Sequence, residues 1–206
     1  MTSIFEIYFV KKLVLASASP RRKQMLKDLG VRFSVAPGVF SEPPHTQGQP
    51  PWVYVRNNAE GKAKSAARKV KKALIIGADT VVVYRGRVLG KPGSLQDAFD
   101  YLHLLNGKTH AVYTGLCIFD VSDGSCLCGY EKTRVTFRKL TEAEIRAYLG
   151  LINPMDKAGA YAIQGEGALI VEAIAGCYYN VMGFPIARLE QMLQKKGVSL
   201  FEYMQQ

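Results

Sequence analysis

The chain has 206 residues, 48% of them hydrophobic, an ordinary globular composition able to bury a core in one large domain or two closely packed lobes. Its 27 lysines and arginines against 17 acidic residues give a formal net charge of +10, which favours anionic partners, nucleotides as readily as nucleic acids. No apolar run approaches the roughly 18 residues of a spanning helix, and Cys117, Cys126, Cys128 and Cys177 lack zinc-site spacing, so a soluble, cytoplasmic protein with reduced thiols and no membrane partner is expected.

The N-terminal stretch MTSIFEIYFVKK has its apolar run interrupted by Glu6 and lacks a basic leader and a small-residue cleavage site. It is expected to be disordered or to add an edge strand, not to be a signal peptide. Leu13 to Ala16 then form a short apolar run of the kind a strand buried on both faces shows. A helix follows: Ser19 suits the N-cap, Pro20 the first helical position, Gly30 the end, and Met25, Leu26 and Leu29 give it one apolar side. Arg21 and Arg22 stand in its first turn, where the unpaired N–H groups already carry partial positive charge. Either the two point into solvent or an anion compensates them, and a phosphate fits, since helix N-termini and guanidinium forks both bind it.

Val31 to Ala36 reads as a second strand and Pro37 to Pro51 as a proline-rich loop carrying Glu42, either a metal ligand or an exposed glutamate. Ala59, Ala63, Ala66 and Val70 mark a helix over Pro51 to Lys72, whose many lysines, Lys62 among them, make a solvated basic face. Leu74 to Ile76 and Val81 to Tyr84 read as two strand segments interrupted at Asp79. A carboxylate between such apolar runs must cap a turn, pair with a lysine, or meet a cation, a metal or a proton donor. Arg85 and Gly86 look like a hairpin turn leading through Val88 and Leu89, which brings Lys91 back toward Asp79.

Ser94 with Asp97 resembles a capping box for a helix to Leu105, and His110 to Asp120 with Gly129 to Arg138 a long hairpin about Asp123 and Gly124. A further helix opens at Thr141, with Glu144 three residues on. In Asp156 to Gly167 small residues bracket Lys157, Tyr161 and Gln164, which suits close approach of backbone to a ligand or a tight connection between strands. Leu169 to Ala173 and Tyr178 to Met182 read as strands, and Pro185 opens a terminal amphipathic helix with Ile186, Leu189 and Leu193 on one side. The chain has no P-loop, complete dinucleotide fingerprint, metalloprotease motif or nucleophile elbow.

Four stretches in order, LASASPRR at 15–22, GADTVV at 77–82, GKP at 90–92 and DKAGAYAIQG at 156–165, resemble the Maf family of nucleoside triphosphate pyrophosphatases. The resemblance runs from Leu13 to about Leu193 within a single domain spanning residues 1–206, leaving residues 1–11 as an extension outside it. It implies an elongated, two-lobed α/β fold, related to inosine triphosphate pyrophosphatases, with a mixed twisted sheet and a central cleft. It also implies cleavage of a nucleoside triphosphate between the α and β phosphates with a divalent cation, Mg²⁺ or Mn²⁺, by a homodimer.

Carried onto this sequence, the resemblance makes Asp79 the general base, Glu42 and Asp79 the metal ligands, and Ser17, Arg22, Lys62 and Lys91 cleft residues. Metal-assisted attack of water is the expected mechanism, because an aspartate with a pKa near about 4 is a weak base unaided. Arg21, Thr80 and Gln164 match the branch acting on dTTP and UTP; the alternatives are the branch acting on modified guanine nucleotides and a non-catalytic nucleic-acid-binding or division regulator. The Gln164 amide offers a donor and an acceptor to uracil or thymine, Thr80 is expected to fix its orientation, and Arg21 to close over sugar or phosphates. Nucleic acid is not the expected partner, because the lysines of residues 62–72 have no aromatics among them. One departure from the family pattern is Asn57, Asn58 and Ala59, where Arg-Leu-Ala is frequent.

Overall fold

The computed structural model describes residues 11–204 apart from Lys69, so the expectations about the first ten residues lie outside the described part. The first apolar run forms β1 (Lys12–Leu15), buried from Leu13 onward, and leads into α1 (Pro20–Asp28). Ser19 occupies the N-cap position, yet its hydroxyl makes no capping bond; its own N–H donates to Ser17 Oγ at 3.2 Å. Gly30 closes the helix at φ +68°, with Gly30 N–H donating to the Lys27 carbonyl and Val31 N–H to that of Leu26. Of the strand expected over Val31 to Ala36 only β2 (Ser34–Val35) forms, parallel to β1.

Beyond the proline-rich loop, α2 (Pro51–Ala67) buries Ala59, Ala63 and Ala66 completely. It stops short of Lys72 because the chain must reverse before Ala73, which pairs with Lys12, and Lys72 makes that reversal at φ +48°. The two strand segments expected on either side of Asp79 are one strand, β3 (Ala73–Tyr84), joined to β4 (Arg87–Leu89) through Arg85 and Gly86, both at positive φ. The hydroxyl of Ser94 accepts the Asp97 N–H at the start of α3 (Leu95–Leu105), but the Asp97 carboxylate takes the N–H of Gly93, so the capping box is half made.

The long hairpin is β5 (Thr109–Asp120) and β6 (Cys126–Phe137), followed by α4 (Glu142–Leu151) with both bonds of its capping box present. The segment from Pro154 to Leu169 is a series of 3₁₀ turns leading to β7 (Val171–Ala175). Tyr178 to Met182 is not a strand: α5 (Tyr178–Val181) is a single helical turn bracketed by Gly176 and Gly183, both at positive φ. Its Asn180 is fully buried and donates to the Val112 carbonyl and Thr133 Oγ1, bonds that hold the turn against the sheet. Last comes α6 (Ile186–Gln194), with Leu189 and Leu193 buried.

Among the described residues seven strands make one mixed sheet: six run in the order β2-β1-β3-β5-β6-β7, and β4 pairs with β3 off that path; β2, β1 and β3 are parallel and the other pairings antiparallel. On one face two cores lie end to end. Leu74, Ile76, Leu116 and Ile118 pack with α1 and α6, while Val82, Val112, Val135 and Phe137 pack with α3 and α4. The opposite face carries α2. This is the expected elongated, two-lobed α/β architecture, both lobes built on the twelve-residue strands β3, β5 and β6. Among the described residues no helix is long and apolar enough to cross a membrane.

Candidate active site

One edge of β3 is paired twice. Its first part lies against β1 up to Ile76 and its last part against β4 from Val82, while the other edge is covered by β5 throughout. Gly77 to Val81 therefore have no strand neighbour on that edge, and the gap is the floor of a cleft of about 680 Å³. β1 points its C-terminal end into this gap and α1 opens from it, so Ser17 and the first turn of α1 line the cleft. The carboxyl end of a parallel strand running into a helix N-terminus is a common place for phosphate.

Asp79 faces α2, and the approach of that helix is set by glycines. A β-carbon on Gly77 would overlap the Ala59 carbonyl oxygen, and one on Gly115, the cross-strand partner of Asp79, would overlap the Val55 carbonyl. Seated this close, α2 delivers Asn58 and Lys62, one turn apart, onto the carboxylate: Lys62 Nζ donates to Oδ1 at 2.7 Å and Asn58 Nδ2 to Oδ2 at 2.9 Å. Glu42 Oε1 reaches the same ammonium at 2.7 Å from the proline-rich loop. Asp79 is 5% exposed, and an unpartnered carboxylate so placed would strongly destabilise the fold.

The two carboxylates thus converge on a point held by a cation, and hard oxygen donors of this kind suit Mg²⁺ or Mn²⁺. No three potential ligand side chains gather among the described residues. Two carboxylates fit the ion nonetheless, since Mg²⁺ at nucleotide sites ordinarily completes its shell with water and phosphate oxygens.

Arg22 is buried, and most of its donors are taken by the protein. Nε bonds the Gly183 carbonyl and Nη1 that of Ala78, both at 2.8 Å; Nη1 also reaches Ser17 Oγ at 3.3 Å and Nη2 Thr80 Oγ1 at 3.0 Å. Burial lowers its pKa to about 10, so the guanidinium stays charged at neutral pH. Arg21 finds its anion inside the protein: Nη1 pairs with Asp156 Oδ2 and Nη2 with the Asp156 carbonyl, each at 3.1 Å. That tie joins α1 to the glycine-rich segment, and Lys157 holds the same carboxylate from the other side.

Thr80 points to the opposite face of β3 from Asp79 and bonds Arg22 and Thr114 Oγ1, so it does not fix the orientation of Gln164 as expected. Gln164 and Lys91 line the cleft, both exposed, with no side-chain bond among the described residues. All the residues expected in the site, Ser17, Arg21, Arg22, Glu42, Lys62, Asp79, Thr80, Lys91 and Gln164, line this one cleft.

Sequence reasoning missed Asn58 and Asp156. An asparagine beside Ala59 and one turn before Lys62, on a stripe of buried alanines, was the available signal for the first. Asp156 opens the DKAGAYAIQG stretch, but its pairing with Arg21 has no local signal, because the two lie 135 residues apart.

Residues 12–196 match the family model described as Maf-like protein. A dTTP/UTP pyrophosphatase of Pelotomaculum thermopropionicum is 46% identical over 192 residues, covering 93% of this chain and 100% of that protein. Proteins of the same name from Clostridium botulinum and Caldicellulosiruptor saccharolyticus are 44% and 43% identical over 196 and 197 residues, covering 93% and 94% of this chain and 100% and 98% of their own. A match of this extent, over a chain whose cleft gathers all four motif stretches, means that the chain belongs to the Maf-like protein family.

Proposed function

We propose that this protein hydrolyses dTTP and UTP to the nucleoside monophosphate and pyrophosphate. The observation that carries the reading is a buried carboxylate, Asp79, held on both oxygens by Lys62 and Asn58 in a cleft rimmed by cations, in a chain whose relatives are named dTTP/UTP pyrophosphatases. The two donors fix the plane of the Asp79 carboxylate, and its remaining lone pairs take the proton of the attacking water. Lys62 stands where negative charge grows on the phosphate oxygens, and Lys91 reaches the triphosphate from the end of β4. The Arg22 guanidinium adds fixed positive charge to the floor and orients Ser17 and Thr80. Arg21 acts on the substrate through the wall it makes with Asp156. A Mg²⁺ or Mn²⁺ held by Glu42 and Asp79 would neutralise phosphate charge and acidify bound water.

Gln164 supports the pyrimidine preference, since a free amide at the cleft wall offers the ring a donor and an acceptor together. A cytoplasmic homodimer goes with this reading. For the dimer, exposed Trp52, stacked on Tyr130 at 5.7 Å with Arg56 over its ring, has the composition of an interface centre, and light scattering at two concentrations tests it. The test of function is pyrophosphate release from UTP, dTTP, CTP, GTP and 7-methyl-GTP with Mg²⁺, compared as kcat/KM. UTP and dTTP are expected to lead, and Gln164→Leu to erode that preference more than it slows turnover. Asp79→Asn is expected to lower turnover at least about 100-fold while triphosphate still binds. A guanine nucleotide in the lead would move the protein to another substrate class, and near-normal turnover of Asp79→Asn would remove that residue from the chemistry.

A further inference from the structure

Three of the four cysteines lie together outside the cleft. Cys117 on β5 stands directly opposite Cys128 on β6, and Cys126, two residues along, shares the same face of the sheet, the one covered by α2. The Asp120 N–H bonds the Ser125 carbonyl at 2.9 Å, which makes that pair a hydrogen-bonded one. Alternation along the antiparallel ladder then makes 119 with 126 non-bonded, 118 with 127 bonded and 117 with 128 non-bonded. Non-bonded pairs bring their Cα atoms to about 4.5 Å, inside the roughly 4.4–6.8 Å that a disulfide spans. Cys126 and Cys128, two residues apart on one extended strand, lie near the upper limit at about 6.8 Å.

We infer that Cys117 and Cys128 form a hydroperoxide-oxidisable dithiol that closes to a cross-strand disulfide beneath α2, leaving Cys126 and Cys177 as thiols. The two sites divide the labour chemically. Cys128 is half-buried; the hydrogen bond from Cys117, with the Arg56 charge, favours its thiolate and outweighs burial and the Glu60 carboxylate on α2, whose Oε2 lies 3.7 Å from the sulfur. Cys117 is fully buried, and the hydrogen bond to Cys128 together with burial keeps it protonated. Cys126 is exposed, but partial desolvation and the nearby Glu60 charge raise its pKa.

In the first step the Cys128 thiolate attacks the terminal oxygen of the hydroperoxide. The O–O bond breaks, the alcohol or water leaves with a solvent proton, and Cys128 is oxidised to the sulfenic acid. In the second the Cys117 sulfur attacks Cys128, the S–S bond forms as the S–O bond breaks, and the Cys117 proton departs with the hydroxyl as water. In sum, two thiols and one hydroperoxide give a disulfide, an alcohol and water. None of the three clustered cysteines lines the nucleotide cleft, so the site is independent of the hydrolase reading.

Hydrogen peroxide in modest excess, followed by alkylation of remaining thiols under denaturing conditions and peptide mapping, tests the inference. The expected product links Cys117 to Cys128, with Cys126 and Cys177 alkylated. It should melt about 5 °C higher than the reduced protein, reversibly with dithiothreitol, and keep its basal activity within about twofold. Cys117→Ala should instead accumulate sulfenic acid at Cys128, trapped by dimedone, and Cys128→Ser should abolish the link. A Cys126–Cys128 link, a Cys128 sulfinic acid beside an alkylated Cys117, or reaction of Cys128 no faster than Cys177 would overturn it.

Discussion

Asn58 is the residue that most changes the picture of the site. Its side chain is fully buried and donates to the second oxygen of Asp79. Replacing it by leucine removes a charged hydrogen bond while keeping the volume. Asn58→Leu is expected to lower kcat about tenfold with KM changed less than about twofold, because the loss falls on the catalytic carboxylate; steady-state kinetics with UTP checks the split. His110 is a second residue with a specific consequence. It is buried between the Phe137 ring and the Tyr161 hydroxyl, which its Nε2 meets at 2.8 Å, and burial pushes its pKa down to about 4. The unfolded chain takes up that proton near pH 6.5 and the folded one only near 4, so the stability present above pH 6.5 is lost as pH falls through this window. The full loss is about 3 kcal/mol. Urea midpoints measured between pH 7 and 4 should show it, and His110→Phe should flatten the slope.

At the scale of elements, the seating of α2 decides whether Asn58 and Lys62 reach Asp79 at all. Gly77→Ala puts a methyl group into the Ala59 carbonyl, so the helix must lift; about 3 kcal/mol of stability and most of the activity are expected to go together. Gly86→Ala, in the β3–β4 turn with open space around it, should cost about 1 kcal/mol through its φ of +79° and leave activity intact. Urea unfolding and pyrophosphate release on the two variants separate a seat from a turn.

The elements legible in the sequence were those governed by neighbours in the chain. Pro20 and Gly30 bound α1, Thr141 and Glu144 start α4, and Arg85-Gly86 and Asp123-Gly124 turn their hairpins. Asp79 was legible because a carboxylate among valines and isoleucines demands a partner. What was not legible depended on distance along the chain. The continuity of β3 rests on donors 17 and 21 residues upstream, the helical turn at Tyr178 on bonds of Asn180 to β5 and β6, and the engagement of Arg22 on a carbonyl 161 residues away. Thr80 differs from its expected role because its strand is unbroken, and alternation turns it to the opposite face from Asp79, against Thr114.

For the whole molecule, the unbroken passage of β3, β5 and β6 through both lobes sets how the cleft can move. A pair of lobes joined by loops closes on a ligand like a jaw; here closure would bend three hydrogen-bonded strands, each about 40 Å long, in the middle of the sheet. Mechanically the two lobes are a single plate. The compliant parts are the pieces that border the gap without belonging to the sheet, the loop of residues 37–51 with Glu42 and the 3₁₀ turns of residues 154–169 with Asp156 and Gln164. Nucleotide capture is therefore expected to move these two segments against a stiff frame. Amide hydrogen exchange with a non-hydrolysable UTP analogue should slow in those two segments and leave the β3–β5 ladder unchanged; a change in that ladder larger than in the segments would mean that the plate itself flexes.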